Sequence, residues 1–466
     1  MTNAKKYIYT GISVFLAVIF VFMTVYSLWF GAKNAEDIIT ITDSFTIADD
    51  KVGTGVYHHS FLKDKEDVKE YHRLTDDSIV ARFAGYVSKF ISPLYLWVII
   101  NLLSVALMIY MLYNLISRWE RGALRYVLVA LFPFLPVFFR CSVQLGAYTL
   151  AGALLLGTVY TGAMKEASVI KWYFNMTLCA IVASFLPEFV IIVYIIPFVA
   201  YRDIKSNYNS GKAASHILLL LIMAIVIHFM FLGAFSDYDQ LYSALIKRAE
   251  PTFISGFKNF FCLDTKEKIG IYLPVNIMAA ISLLGLFNME KYVKKYIYPG
   301  LFLYLWAMIF AGNNAYILGT VYPVVFLSFS QTLIHSRFFR RRKMAVSVVL
   351  CVLLCVCIPC CGNISYKNHI RGMKVAYFAE EYSPLYEKYV GDRETVLAVD
   401  DEMNLVFHMY AAYPQKTILS VADDDICPKI IGTYYPQCIV SRYELNYAEY
   451  EKVYSDEEKL IYKLNR

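Results

Sequence analysis

The chain has 466 residues, of which 58% are hydrophobic, 16% aromatic and only 18% charged. This composition excludes an ordinary soluble domain and places the protein among polytopic membrane proteins. The formal net charge of +6 therefore matters through the loops that hold the basic residues, because orientation in a membrane follows Lys and Arg in short loops.

The first predicted element is an apolar helix from Tyr7 to Phe30, which has 24 residues without a charge. That length crosses a hydrocarbon core of about 30 Å at about 1.5 Å per residue. Lys5 and Lys6 precede the helix, so we expect a cytoplasmic N-terminus. The run is too long for a secretory signal and further spans follow it, which favours a retained first helix.

Ten further apolar segments follow, so the pattern predicts about eleven spans. Basic residues gather in every second connection, which the positive-inside rule assigns to the cytoplasm. Three larger pieces then face outward: Gly31 to Pro93, Ser236 to Ile271, and a tail from about Cys361 to Arg466. The ten segments are Leu94 to Asn114, Tyr126 to Phe139, Gln144 to Met164, Trp172 to Leu186, Phe189 to Tyr201, His216 to Phe235, Tyr272 to Asn288, Tyr298 to Ala311, Tyr316 to His335 and Ala345 to Pro359.

The outer segment from Gly31 to Pro93 carries two candidate features. Glu36 and Asp37 lie about six residues beyond the first span, within reach of hydroxyl-bearing and membrane-anchored substrates, which suits a general base. A solvated acidic loop is the alternative. The segment ends in an amphipathic pattern with Arg82 on its polar face, which predicts a helix along the membrane surface. That helix either faces a lipid-linked ligand or only connects two spans.

Arg140 lies in an outward turn of a chain that otherwise keeps its short-loop basic residues inside. Gln144, Gly146 and Tyr148 follow it at the mouth of the next span. A guanidinium in this position suits forked hydrogen bonds to a phosphate. The alternative is that Arg140 only snorkels to lipid headgroups.

Two other sites hold charged residues in unusual positions. Glu188 follows Pro187 and interrupts a long apolar stretch, and ionisable residues at such depth are costly and usually functional. A plain carboxylate in the turn between two spans is the alternative. Lys247 and Arg248, in the second outer segment, could hold a phosphate-bearing donor or simply form a solvated face.

The tail after Cys361 changes to charged residues and short alternating runs, which predicts a small outer α/β domain of residues 361–466 beside a transmembrane domain of residues 1–360. The acids that follow the first two strands either bind a cation or keep the loops soluble. The strands are predicted at Thr395 to Val399, Thr417 to Val421 and Leu460 to Lys463, and the helices at Met403 to Ala412 and Tyr447 to Ser455.

Several kinds of site are not supported by the residue pattern. The ten cysteines form no metal-binding spacing, and we find no phosphate-binding loop, serine-hydrolase elbow or dinucleotide fingerprint. Nucleic-acid binding has no support, because the basic residues are spread over the loops. Cys427 and Cys438 can form a disulfide if the compartment is oxidising.

Four features together resemble the polytopic C-type (GT-C) glycosyltransferases, and more narrowly the bacterial branch that includes GtrII-like glucosyltransferases. In that branch an Asp-Asp pair follows the first span, an Arg-aromatic step ends the loop, a Gly-x-x-Tyr-type mouth opens the fourth span, and an acid interrupts a later span. The resemblance covers about the first 230 residues. The matching residues are Glu36-Asp37, Arg82-Phe83, Gly146-Ala-Tyr148 and Glu188.

The resemblance implies a hexosyltransferase of a bacterial plasma membrane that moves a sugar from a polyprenyl-phosphate donor to a cell-envelope glycan, lipid or teichoic-acid acceptor on the outer face. Asp37 would be the general base; Glu36 stands where the family has Asp. Relatives differ in their use of a divalent cation, and this sequence leaves that choice open. The residues that would bind substrate are Arg82, Arg140, Gln144, Tyr148, Glu188, Lys247 and Arg248.

Two rival functions stay open. A transporter or flippase of lipid-linked glycans is also polytopic, but it should show paired broken helices or an internal repeat, and we detect no repeat. A non-catalytic membrane subunit that scaffolds a cell-envelope assembly is the second rival, since the Asp-Asp pair is not strict here.

Overall fold

A computed structural model describes residues 3–30, 56–58, 93–162, 169–185, 208–233, 266–289, 296–310, 317–391, 395–399, 417–421 and 435–465 without 458, together with isolated positions between them. The chain divides into two compact units. The first contains Met1–Val25 and Val98–Ser365, and the second contains Tyr26–Trp97 and Tyr366–Arg466.

Helices dominate the described residues, and they coincide with ten of the eleven predicted apolar segments. The remaining segment, Phe189 to Tyr201, lies outside the described residues apart from Pro197 and Ala200. The helices are α1 (Asn3–Ser27), α2 (Pro93–Trp119), α3 (Ala123–Phe134), α4 (Pro136–Ser142), α5 (Tyr148–Gly162), α6 (Val169–Phe185), α7 (Ser210–Gly233), α8 (Lys266–Asn288), α9 (Ile297–Phe310), α10 (Ile317–His335), α11 (Arg337–Arg340) and α12 (Lys343–Tyr389).

Four of these helices are long and apolar enough to cross a membrane, within the described part of the chain: the spans in α2, α8, α10 and α12. The pair α3 and α4 makes a fifth if it counts as one bent span. Apolar stretches of 10–17 residues occur in α1, α5, α6, α7 and α9.

Helix α10 is the buried centre of the first unit. Every residue from Ile317 to Ile334 is buried, and α10 packs against α3, α4, α5, α8, α9 and α11. A helix that is apolar all round belongs in the interior of a bundle. Two of its hydroxyl groups donate to the backbone of the helix itself: Ser328 Oγ to Val324 O at 3.1 Å, and Thr332 Oγ1 to Ser328 O at 3.1 Å.

The predicted span from Tyr126 to Phe139 is a broken helix rather than a straight one. Helices α3 and α4 meet at a bend of 53°. Leu135 between them is extended, with φ −65° and ψ 125°, and Pro136 opens α4. The cause is local, because a residue before proline avoids the helical region and proline suits the first turn of a helix.

Close helix crossings in the first unit require small residues. A Cβ added to Gly319 of α10 would lie 2.5 Å from the Cβ of Cys141 in α4, and one added to Gly152 of α5 would lie 2.8 Å from the carbonyl oxygen of Gly319. The nearest atoms are a Cβ atom and a backbone oxygen, so rotating a flexible side chain cannot relieve these contacts. The three helices therefore pack together through Gly152 and Gly319.

We expect Gly319→Ala to lower the melting temperature of the purified protein, because the overpacked contact costs about 1–3 kcal/mol. Gly270→Ala in α8 is the matched control, since no atom lies within 4 Å of its added Cβ, and alanine is the better helix former. Thermal unfolding in detergent compares the two variants. Equal melting temperatures would contradict the close packing at Gly319.

Among the described residues of the second unit, six strands form a sheet in the order β1-β3-β2-β4-β6-β5. Strands β1, β3, β2 and β4 run parallel to one another, whereas β6 pairs antiparallel with both β4 and β5. The three predicted strands are confirmed as β2, β3 and β6. The strands are β1 (Val56–His58), β2 (Thr395–Val399), β3 (Thr417–Val421), β4 (Cys438–Ser441), β5 (Tyr450–Ser455) and β6 (Leu460–Leu464).

Both faces of the central strand β2 are buried, as the alternation of side chains in a strand requires. Val396 and Ala398 pack with Tyr382 and Tyr386 of α12 on one face. Leu397 and Val399 lie in a separate apolar cluster on the other face. The sheet therefore has the covered faces typical of a parallel α/β arrangement.

Long-range packing corrects one prediction about the tail and adds one strand that was not predicted. The predicted helix from Tyr447 to Ser455 is wrong: Tyr450–Ser455 is a strand, because β6 offers it an antiparallel ladder and Tyr450 is buried. Strand β1 comes from the first outer segment and pairs with β3, which no local pattern indicated. The predicted helix from Met403 to Ala412 lies outside the described residues apart from Leu405, which is helical.

Helix α12 also continues beyond its predicted end at Pro359. Its later turns are held by α1: Ser365 Oγ donates to Met23 O at 2.6 Å, and Asn368 Nδ2 donates to Ser27 Oγ at 2.9 Å. The His369 ring stacks on Tyr26 with 3.9 Å between ring centroids. The sequence predicts that the last span ends at Pro359 and that an α/β domain begins at about Cys361. These contacts with α1 stabilise the part of α12 that continues beyond that point.

Candidate functional site

Three of the nine predicted site residues lie in the described part of the chain: Arg140, Gln144 and Tyr148. The structure brings them together on one short stretch, the end of α4 and the start of α5. The others lie outside the described residues and stay predictions. They are Glu36, Asp37, Arg82, Glu188, Lys247 and Arg248.

Residues 143–147 connect α4 to α5 and form what we call the α4–α5 turn. The N–H of Val143 donates to Phe139 O at 3.1 Å and the N–H of Gln144 donates to Cys141 O at 3.2 Å, which closes α4. Gly146 has φ 124°, a conformation that side-chain-bearing residues rarely adopt. The glycine of the Gly146-Ala-Tyr148 motif is therefore required by the backbone of the turn.

Asn101 of α2 holds the α4–α5 turn from the side. Its Nδ2 donates to the carbonyl oxygens of Ser142 at 3.2 Å and Gln144 at 2.7 Å, and its residue is only 1% exposed. Carbonyl groups at the end of a helix lack partners within the helix, and a side-chain amide with two donors can satisfy both. Sequence reasoning missed Asn101, although an amide in an apolar span was a usable signal.

The start of α5 is fixed by hydroxyl groups on two sides. Thr320 Oγ1 of α10 donates to the carbonyl oxygen of Tyr148 at 3.0 Å. Thr149 Oγ1 donates to the carbonyl oxygen of Cys141 in α4 at 3.3 Å. With the close packing at Gly152 and Gly319, these bonds make the first turn of α5 a rigid platform.

Exposure separates the side chains that reach the surface from those that build the frame. Between residues 137 and 148, Arg140 and positions 146–148 are partly exposed, and all the others are buried. Gln144 is 2% exposed, so its side chain belongs to the frame, and its contact with substrate stays a prediction that this burial does not favour. Arg140 and Tyr148 are the predicted site residues in this stretch that reach the surface.

Two groups at the α4–α5 turn contribute positive charge. Arg140 contributes a guanidinium, and the N-terminus of α5 contributes the positive end of a helix dipole with N–H groups that have no partner within the helix. No Asp or Glu occurs in residues 123–162. Such a combination suits a phosphate or another anion.

A metal site has no support in the part of the chain that the structure describes. No three His, Cys, Asp or Glu side chains come together there in a way that could hold a metal ion. Cys438 is buried in β4, and Cys427 lies outside the described residues.

We expect Asn101→Leu to loosen the α4–α5 turn, because two buried carbonyl groups lose their donors at a cost of about 1–3 kcal/mol. Hydrogen–deuterium exchange of a peptide that spans residues 141–150 should become faster. Asn114→Leu is the matched control, since it makes the same change on the same helix at a half-buried position. Equal exchange in both variants would show that Asn101 does not hold the turn.

Two solved structures share the fold of this chain. The crystal structure of ArnT from Cupriavidus metallidurans bound to undecaprenyl phosphate matches with a TM-score of 0.55 and 12% identity, over 97% of this chain and 98% of that chain. The apo crystal structure of ArnT from the same organism matches with a TM-score of 0.52 and 13% identity, over the same shares. No protein-family model and no curated protein sequence matches the chain.

A likeness at this level of identity shows the fold alone. The chain is an α-helical polytopic membrane protein with a GT-C-like fold and a small C-terminal sheet. The fold class predicted from the sequence is confirmed.

Proposed function

We propose that the protein is an integral-membrane glycosyltransferase that moves a sugar from a polyprenyl-phosphate donor to a cell-envelope acceptor on the outer face. One observation carries the proposal: the fold matches that of ArnT over nearly the whole length of both chains. ArnT is a GT-C glycosyltransferase, and the matched crystal structure contains undecaprenyl phosphate. The sequence pointed to the same class through independent short motifs.

The α4–α5 turn supplies the phosphate-binding part of the proposal. Arg140 is partly exposed near the end of α4, next to Cys141, which is bonded to the first turn of α5 through Thr149. A guanidinium and a helix N-terminus both favour an anion. We assign to Arg140 the binding of the donor phosphate, and to Tyr148 a contact with the lipid or the sugar next to that phosphate. Asn101 is a positioning residue in this scheme, since its amide donates to the backbone of the turn.

The transfer step needs a base, a leaving group and charge stabilisation. We assign the role of general base to Asp37. Its carboxylate would accept the proton of the acceptor hydroxyl while the hydroxyl oxygen attacks the anomeric carbon of the sugar. The bond from that carbon to the phosphate oxygen breaks, and the polyprenyl phosphate leaves with the electron pair. Arg140 would stabilise the negative charge that grows on the phosphate. Arg82, Glu188, Lys247 and Arg248 keep their predicted binding roles.

We also propose an acceptor class, a family branch and an orientation in the membrane. The proposed acceptors are an envelope glycan, a lipid or a teichoic acid, and the proposed branch is the GtrII-like one. The proposed orientation has the N-terminus in the cytoplasm and the C-terminal α/β unit outside, as the basic loops predict.

Sugar transfer by membranes that contain the protein tests this function. Labelled sugars on polyprenyl phosphates are added, and label in envelope polymers is measured against membranes without the protein. Incorporation that depends on the protein and on the lipid phosphate is the expected result. Movement of donor across the membrane without incorporation would favour the transporter, and neither transfer nor movement with any donor would favour the scaffold subunit.

A further inference from the structure

The first unit has a second cationic region, far from the α4–α5 turn. Asn101 and Glu120 are separated by 19 positions on or just after α2, which corresponds to about 28 Å along a helix. That distance is close to the thickness of a hydrocarbon core, about 30 Å. The region therefore lies at the opposite end of α2 from the turn, which is the end that the basic loops assign to the cytoplasm.

We call this region the basic end and define it as residues 117–125 and 335–344. Glu120 is the only carboxylate among them, against eight Lys and Arg residues. Such an excess of one sign attracts anions, and guanidinium groups bind phosphates through forked hydrogen bonds. The eight residues are Arg118, Arg121, Arg125, Arg337, Arg340, Arg341, Arg342 and Lys343.

The carboxylate of Glu120 ties the two halves of the basic end together. Lys343 Nζ donates to Glu120 Oε2, and the N–H of Gly122 donates to Glu120 Oε1 at 2.8 Å. Burial by itself would raise the pKa of Glu120, but the bonds from Lys343 and Gly122 hold the pKa below its ordinary value. The carboxylate is therefore ionised at neutral pH and already bonded to Lys343 and Gly122. The other cations of the basic end have no second carboxylate within residues 117–125 and 335–344 to neutralise them.

An apolar groove of about 530 Å³ opens next to the basic end, between α3 and α12. It begins at Ala123 and Met344, which belong to the basic end, and follows α12 from Met344 to Val356, a length of about 18 Å. Half of a hydrocarbon core is about 15 Å, so the groove is as long as one leaflet of a bilayer. The lining residues are Ala123, Val127, Met344, Ser347, Val348, Cys351, Val352, Cys355 and Val356.

Ser347 is the one residue lining the groove that carries a hydroxyl group. Its Oγ already donates to Lys343 O at 2.9 Å, so an apolar ligand would not leave this donor unpaired. Val348, Val352 and Val356 are each more than half exposed and repeat every four residues, so they form one apolar stripe along α12. The groove therefore presents a hydrocarbon-like wall with a cationic rim at one end.

We propose that the basic end and the groove form a binding site for an anionic phospholipid of the bilayer. Its phosphate lies among Arg121, Arg341 and Arg342, and one acyl chain lies along the Val348 stripe. Charge complementarity selects this occupant over a zwitterionic lipid, and the length of the groove matches a chain in one leaflet. The site does not depend on the proposed transfer reaction.

Native mass spectrometry of the detergent-purified full chain tests the site. Phosphatidylglycerol and phosphatidylcholine with identical acyl chains are added in equal amounts. We expect one phosphatidylglycerol to be retained in preference to phosphatidylcholine. The double variant Arg341→Gln with Arg342→Gln should lower that retention about tenfold or more, because the phosphate loses two charge-assisted hydrogen bonds.

Matched variants separate a built site from ordinary lipid contact. Val348→Trp should fill the groove and lower phosphatidylglycerol retention, whereas Val349→Trp, at a neighbouring position that is 63% exposed and does not line the groove, should not. Melting temperatures in lipid-free detergent check that both variants fold. Equal retention of the two lipids, equal effects of the two tryptophans, or preferred one-to-one retention of undecaprenyl phosphate over phosphatidylglycerol would each overturn the proposal.

Discussion

Replacement of Asp37 by Asn is expected to remove protein-dependent sugar transfer in membranes that contain equal amounts of wild-type and variant protein. Asparagine has almost the same shape as aspartate but cannot accept the proton of the acceptor hydroxyl. General-base catalysis contributes about 10²- to 10⁴-fold in rate, so the remaining transfer should be at most about 1% of wild type. The measurement is the incorporation of labelled sugar from the polyprenyl-phosphate donor.

The controls for this prediction come from the same outer segment. Asp43→Asn makes the same chemical change six residues further on and should keep most of the activity. Glu36→Gln distinguishes the two members of the acidic pair, and we expect a smaller loss than for Asp37→Asn. Full activity of Asp37→Asn would move the base elsewhere, and equal losses in Asp37→Asn and Asp43→Asn would indicate a general effect of loop charge.

Arg140→Gln is expected to lower transfer about 10- to 100-fold, mainly through a higher KM for the donor. The guanidinium is proposed to make charge-assisted hydrogen bonds to the donor phosphate, and such bonds contribute about 1.5–3 kcal/mol. Arg140→Lys should fall between wild type and Gln, because lysine keeps the charge but loses the planar fork. Initial transfer rates over a range of donor concentrations measure KM and kcat for the three proteins.

The alternative for Arg140 is snorkelling to lipid headgroups, and it makes a different prediction. In that case Arg140→Gln would lower stability in the membrane without raising KM for the donor. Lys212→Gln, at an exposed position of α7, controls for the loss of one positive charge and should leave KM unchanged. An unchanged KM in Arg140→Gln would therefore contradict phosphate binding at the α4–α5 turn.

Failure of these predictions is distinguishable from failure of the lipid site. Asp37 and Arg140 report on sugar transfer, whereas Arg341, Arg342 and Val348 report on retention of phosphatidylglycerol at the opposite end of α2. The lipid site can hold with no transferase activity at all. Conversely, an active enzyme can lack any preference for anionic phospholipid.

Much of the architecture could be predicted because it depends on properties of short stretches. Ten apolar segments coincide with helices, since length and hydrophobicity decide which stretch can enter a membrane. The runs at Thr395 to Val399 and Thr417 to Val421 are strands for a similar reason, because β-branched residues between turn signals favour an extended backbone. Arg140 and Tyr148 could be singled out because they stand at the mouth of a span.

The errors occur where distant residues decide the structure. Tyr447 to Ser455 has a helix-compatible composition, but pairing with β6 makes Tyr450–Ser455 a strand. Val56–His58 becomes a strand only because β3, more than 350 positions later, offers an edge. The amide of Asn101 in an apolar span is a local signal, but its partners are carbonyl groups 41 and 43 positions away, and those partners cannot be predicted from the local sequence.

The sequence by itself determined the class of protein, the number and position of most apolar helices, and the chemistry available at Arg140, because these properties belong to each stretch alone. Tertiary structure decided that Gln144 is buried while Arg140 is not, that α12 continues past Pro359, and that a basic end meets an apolar groove. Those outcomes depend on contacts between residues far apart in the chain, and such contacts are set by packing rather than by local preference.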